Sequence, residues 1–179
     1  GWTVYRHCAR RTMPAFVVIL DEATRQALRT MRALAEAGVS LIPIPVRIDL
    51  GDGPPLIITE QTVIAAPQAL HHAASELRDI VAERTGATLG LTSTTPEATA
   101  AITLAVSPRP AAASGSYTLT VADQGATVTG ADAAGAFYGA MTLAQLIHDV
   151  AGAVTAPACS IDDAPAFRER IVQYDIARG

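Results

Sequence analysis

At 179 residues, the chain is long enough for one domain with a real core, or for a domain plus an appendage. Half of it is hydrophobic, yet only 4% is aromatic and alanine is abundant, so no stretch reaches the roughly 20 strongly apolar residues of a membrane-spanning helix. The net charge of −4 excludes an overall basic footprint for nucleic acid.

The chain opens on GWTVYRHCARR, a basic leader carrying Arg6, Arg10 and Arg11. FVVIL (16–20) comes next and is a candidate strand. Asp21 and Glu22 interrupt it too early for a secretory signal, so a poorly ordered leader is expected. DEATRQALRTMRALAEAG places Ala27, Leu28, Met31, Leu34 and Ala35 at helical spacing, and Gly38 stops the helix. Pro43 and Pro45 cannot donate to a ladder, so Leu41 to Pro45 should run extended at an edge. Arg47 to Leu50 and Leu56 to Ala65 read as strands around the turn GDGPP.

PQALHHAASELRDIVAERTG is amphipathic, with Leu70, Ala73, Ala74, Leu77, Ile80 and Val81 on one face. Pro67 suits its first turn and Gly86 its C-terminal cap. Strands are expected at Thr88–Leu91 and Ala101–Val106, then a small-residue loop, SPRPAAASGS. YTLTVADQGATVTG alternates with a hairpin turn at Asp123–Gly125. GADAAGAFYGAMTLAQLIHDVAG reads as a second long helix, and PACSIDDAP as a short strand and a proline-stopped linker. This order predicts an α+β fold: a mainly antiparallel sheet with two long helices packed on one face.

The most tempting chemical motif is GADAAGAFYG. Gly130, Gly135 and Gly139 do not make GxGxxG, and no lysine comes after them for a P-loop. Asp132 is placed to cap the helix, where it would repel an anion. Gly135 and Gly139 share a helix face, which favours close packing on the sheet. His71 and His72 point about 100° apart on a helix and cannot chelate one metal. His148 is expected to meet the dipole at a helix C-terminus. Asp21–Glu22 and Asp162–Asp163 read as caps and solvated turn residues. Cys8 and Cys159 match neither a disulfide framework nor a metal site, and Cys159 reads as a small buried hydrophobe. No cofactor is implied.

Three pieces in order carry a family resemblance. SLIPIPVRIDLGDGPPLIITEQTVIAA resembles the opening of the small domain that precedes the catalytic barrel in family 20 glycoside hydrolases. GSYTLTVADQGATVTGADAAGAFYGAMTLAQLI is similar to that domain's most recognisable stretch. Tyr117, Leu119, Val121, Asp132, Gly135, Phe137, Tyr138, Gly139, Thr142, Leu143, Gln145 and Leu146 fill its motif positions. PACSIDDAPAFRERIVQYDIARG resembles the linker and first barrel strand. Two departures stand out: Gly179 replaces the usual histidine, and Glu169-Arg170-Ile171 replaces the common Arg-Gly. The second stretch also occurs, more loosely, in O-GlcNAcase-like family 84 and glucuronidase-like family 67.

The resemblance implies a hexosaminidase domain 2-like two-layer sandwich that packs on a (β/α)₈ barrel and does no chemistry itself. Residues 1–39 are then a leader and extra helix, 40–166 the accessory domain, and 167–179 the linker and first barrel strand. In family 20 the barrel supplies an Asp-Glu pair that uses the substrate's own 2-acetamido group as nucleophile, an exception to the two-carboxylate scheme. That pair would lie beyond residue 179, so the chain alone is expected to be inactive. Arg178 matches the family's sugar-binding arginine, whose forked donors suit vicinal hydroxyls, and Asp175 matches a supporting aspartate. The partners so implied are the barrel of a longer parent and an N-acetylated amino-sugar glycan, with no nucleic acid and no membrane. The isolated domain, with its barrel-facing helices uncovered, is expected to self-associate. Two other readings stay open: a self-contained carbohydrate- or protein-binding module, and a nucleotide-binding domain built on GADAAGAFYG. Secretion of a longer parent also stays open.

Overall fold

A computed structural model describes residues 21–36, 38–93, 101–107 and 113–167. FVVIL, Cys8, Arg178 and Asp175 lie outside these residues. The chain divides into two units between Gly38 and Val39.

The first unit contributes α1 (Glu22–Glu36). Asp21 caps it, its Oδ1 accepting the Thr24 N–H at 2.7 Å. Hydrogen bonding from the Thr24 side chain, then from its N–H, holds the Asp21 carboxyl below its usual range. Glu22–Arg25 and Arg32–Glu36 pairs, 2.7 and 2.8 Å long, run along its exposed surface.

The second unit contains β1 (Arg47–Leu50), β2 (Leu56–Ile57), β3 (Val63–Ala65), α2 (His71–Thr85), β4 (Gly90–Thr92), β5 (Ala101–Val106), β6 (Tyr117–Ala122), β7 (Gly125–Gly130), α3 (Ala133–Leu146), β8 (His148–Val150), β9 (Ala153–Ala156) and β10 (Cys159–Asp163). A seven-stranded sheet has the order β1-β10-β6-β7-β5-β3-β4, and a three-stranded one the order β2-β9-β8. The expected antiparallel character holds for β1, β10, β6 and β7 and throughout the small sheet. The β7-β5-β3-β4 side is parallel. Here α2 carries the chain back over the sheet between β3 and β4, so the second strand starts from the same end as the first.

Both long helices cover one face of the large sheet, as the α+β reading requires: α3 lies over β5, β6 and β7, α2 touches β3 and β4, and the helices pack on each other. Ile102, Leu104, Leu119, Val128 and Ile161 are buried with Leu77, Val81 and Leu143 to form the core between the layers. Thr120, Thr127 and Ser160, one residue out of phase, are exposed. Gly86 caps α2 in the left-handed conformation, and its N–H donates to Ala82 O at 2.8 Å. Arg84, in the last turn of α2, donates to the Ala144 carbonyl of α3 at 2.7 Å and so satisfies the other helix's C-terminal end.

Three expectations are redrawn. The second long helix stops at Leu146 instead of running through Gly152. Ile147 turns extended, and Ala151 and Gly152, at φ of 55° and 88°, form the turn that folds β8 onto β9. Leu56 to Ala65 is two short strands in different sheets rather than one. Leu41 to Pro45 forms no strand and instead becomes a strap leading into β1.

Candidate functional site

GADAAGAFYG is a packing device. A Cβ built on Gly135 would collide with the Ser116 carbonyl oxygen, and one on Gly139 would lie 2.5 Å from Val128 Cγ1 and 2.8 Å from Tyr117 Cδ2. The two glycines thus let α3 sit against β6 and β7, where a side chain of any size would hold the layers apart. Asp132 caps the helix. Its carboxylate accepts the Gly135 N–H at 2.8 Å, the Ser114 hydroxyl at 2.8 Å and the Gly115 N–H at 3.0 Å. The Gly135 N–H above all, then Ser114, holds its carboxyl below the usual range. The donors that could have bound a phosphate are thereby engaged by the chain's own anion.

The histidines also behave as surface and capping groups. His72 is exposed, stacks on Phe137 at 5.7 Å between ring centroids and lies 3.9 Å from Glu76. The His71 Nδ1 is 3.4 Å from the Ser75 hydroxyl. His148 donates from Nδ1 to the Leu146 carbonyl, the last residue of α3, at 2.7 Å. Among the described residues no group of three His, Cys, Asp or Glu side chains is placed to hold a metal ion. Cys159 is buried, and burial pushes its thiol up to about 11.

The described feature most able to receive another group is a cleft of about 450 Å³ beside α3. One wall is the strap Ile42-Pro43-Ile44, continuing to Val46, and the opposite wall is Ala164 to Phe167. Its floor is the α3 face bearing Tyr138, Met141 and Gln145. The rim is apolar and open: Ile42 is 78% exposed, Val46 76% and Phe167 72%. This is the kind of contiguous patch that a folded chain normally covers. Tyr117 is buried beneath it, and Thr142, Gln145 and Asp163 are half-buried. Tyr117 Oη is 2.7 Å from Thr142 Oγ1, and Thr142 donates to the Tyr138 carbonyl at 3.1 Å. Burial drives the Tyr117 phenol far above its ordinary range. Asp163 Oδ1 accepts the Val46 N–H at 3.0 Å, and Gln145 Oε1 accepts the Ile42 N–H at 2.9 Å.

From sequence, Asp162–Asp163 reads as a solvated turn and Gln145 only as a motif position. The cleft brings Asp163 and Gln145 together with Tyr117 and Thr142 from distant parts of the chain. The one local signal for it is IPIPV, whose prolines leave isolated donors that must find side-chain acceptors.

A family model described as "Glycosyl hydrolase family 20, domain 2" matches residues 38–164. The β-N-acetylhexosaminidase of Cellulomonas fimi is 27% identical over 143 residues, which cover 78% of this chain and 29% of that protein. Among solved structures, a glycoside hydrolase family 20 β-N-acetylglucosaminidase is 37% identical, with a TM-score of 0.58 over 72% of this chain and 23% of its own. The family 20 β-N-acetylhexosaminidase of Streptomyces coelicolor A3(2) is 26% identical, with a TM-score of 0.58 over 70% and 26%. The chain thus spans less than a third of the length of each of these three.

Proposed function

Because this chain belongs to the family 20 glycosyl hydrolases and carries their domain 2, we propose that it is the non-catalytic part of a longer β-N-acetylhexosaminidase-like enzyme. The observation that carries this reading is the extent of the match. Domain 2 takes up residues 38–164 of this chain, while the aligned part is only 29% of the C. fimi enzyme. A (β/α)₈ barrel beyond residue 179 would supply the Asp-Glu pair, and the substrate would be a glycan ending in an N-acetylated amino sugar.

In this reading residues 1–39 are a leader and extra helix, 40–166 the accessory domain and 167–179 the linker and first barrel strand. Arg178 holds hydroxyls of the terminal sugar through its forked donors, and Asp175 supports it. The motif formed by Pro157, Ile161, Asp163, Pro165 and Phe167 supports both assignments, since it sets the register of residues 168–179. The exposed apolar rim of the cleft supports self-association of the isolated chain. Sedimentation equilibrium should then show a concentration-dependent mass, and a strict monomer at high concentration counts against it.

The decisive experiment measures release of p-nitrophenol from p-nitrophenyl N-acetyl-β-glucosaminide. The 179-residue chain should give no turnover, and the product of the gene read on past Gly179 should. Arg178→Ala in that longer protein should lower kcat/KM roughly 10- to 100-fold, the loss of one or two charged hydrogen bonds. Turnover by the 179-residue chain alone, or a stop codon directly after Gly179, would refute the proposal.

A further inference from the structure

We propose that Asp163 is a positioning residue whose carboxylate fixes the direction in which the chain leaves the domain, by tying the last strand to the strap that leads into the first. The backbone ladder between β1 and β10 runs from Leu50↔Cys159 out to Arg47↔Asp162. One residue further out stand Val46 and Asp163. There the Val46 N–H is taken by the Asp163 side chain, at 3.0 Å. A carboxylate thus supplies the rung with which the two strands end.

The strap is held at its other end too. Pro43 and Pro45 have no N–H to offer, and the Ile42 N–H donates to Gln145 of α3 at 2.9 Å. The strap is therefore tied to α3 and to β10 through two side chains far apart in sequence. Asp163 is itself held from the other side, since it lies opposite Tyr117 in the β10–β6 ladder and Tyr117 is fixed to α3 through Thr142.

Pro165 is held as well. Gly115, at φ +78°, presents bare backbone to Pro165; a Cβ there would come within 2.9 Å of Pro165 Cγ and 3.1 Å of Tyr138 Cε2. Gly115 in turn donates to Asp132, the cap of α3. The segment therefore leaves with Pro165 set against Gly115 beside Tyr138, and Phe167 is 72% exposed. A stiff exit of this kind would set the orientation of a domain attached to it. That consequence rests on the reading that a catalytic portion is joined there.

The test is ¹⁵N relaxation and amide exchange on the 179-residue chain. Wild-type Ala164, Ala166 and Phe167 should show order parameters of about 0.85, those of rigid backbone. Asp163→Ala should drop them below about 0.6, leave Leu119 and Val128 unchanged, and speed Val46 exchange at least about tenfold. Asp163→Asn keeps an acceptor oxygen and should preserve the rigid values. Pro165→Gly should loosen the linker while Val46 stays protected. The proposal is overturned if the wild-type linker is already below about 0.6, or if it stays near 0.85 in Asp163→Ala. Should Asp163→Ala fail to fold, the wild-type values and Val46→Pro, which removes the donor and keeps Asp163, decide: a loose wild-type linker, or a Val46→Pro linker that stays rigid, overturns the clamp. A longer gene product without hydrolase activity would sink the proposed function and leave these order parameters unaffected, so the two failures are distinguishable.

Discussion

Replacing Gly135 with alanine sets helix propensity directly against layer packing. Alanine is favoured over glycine inside a helix by about 1 kcal/mol, so propensity alone predicts a more stable protein. Here the new methyl would meet the Ser116 carbonyl oxygen, which is backbone and cannot rotate away. That oxygen accepts the Ala131 N–H at 2.9 Å, and the neighbouring Gly115 N–H is bonded to Asp132 at 3.0 Å. Overpacking costs about 1–3 kcal/mol, and displacing the loop puts two hydrogen bonds of about 1 kcal/mol each at risk. Set against the propensity gain, the net loss is about 2–4 kcal/mol, or roughly 5–15 °C in Tm for a domain of this size. Urea unfolding followed by circular dichroism reads it, with an unchanged m value showing that the denatured state is not the cause. Ala134→Gly, next door and exposed, is the control and should cost about 1 kcal/mol from propensity alone. A Gly135→Ala protein more stable than wild type would refute the packing argument.

Asp132→Ala should cost about 1–2 kcal/mol as a lost cap, whereas Asp132→Asn should nearly restore stability. Because the folded carboxyl titrates below its ordinary 3.8, its contribution is complete above that value and disappears as the pH falls further. Acid unfolding of Asp132→Asn should lack this component, and an acid profile identical to wild type would count against it. Tyr117 has the opposite sign: its folded phenol titrates above the ordinary 10, so its contribution is present below pH 10 and is lost as the pH rises beyond it. Tyr117→Phe should cost about 1 kcal/mol at neutral pH and remove a component that ionises above pH 10 at 295 nm. Ser116 Oγ is buried without a partner among the described residues, so Ser116→Ala should be neutral or stabilising by up to about 1 kcal/mol. A clear loss of stability on thermal unfolding would reveal a bond the hydroxyl makes.

Local periodicity made much of this protein legible. The spacing of Leu70, Ala73, Ala74, Leu77 and Val81 fixes α2, and the alternation in YTLTV fixes β6, because each pattern has the period of its backbone. Asp132 three residues before Gly135 identified a cap, since that distance is what a side chain needs to reach the N3 amide. The family motif likewise pointed to domain 2, which the match over residues 38–164 bears out. His148-Asp149-Val150 misled because a three-residue strand continuing an apolar helix has no period of its own. Its pairing with Ala153–Thr155 depends on a turn whose positive φ angles fall on Ala151 and Gly152.

Sequence by itself determined α2, the start of α3 with its Asp132 cap, the Gly86 cap and the glycine face of α3, for these depend on residues within a turn or two of each other. Only the tertiary structure decided that half of the large sheet is parallel, because strand direction is set by which strand each crossover brings alongside another. It alone built the cleft, where Ile42 meets Gln145 and Val46 meets Asp163 over separations of 103 and 117 residues. No local pattern encodes such a pairing. It arises from layers that pack closely enough to leave each stranded N–H one acceptor within reach.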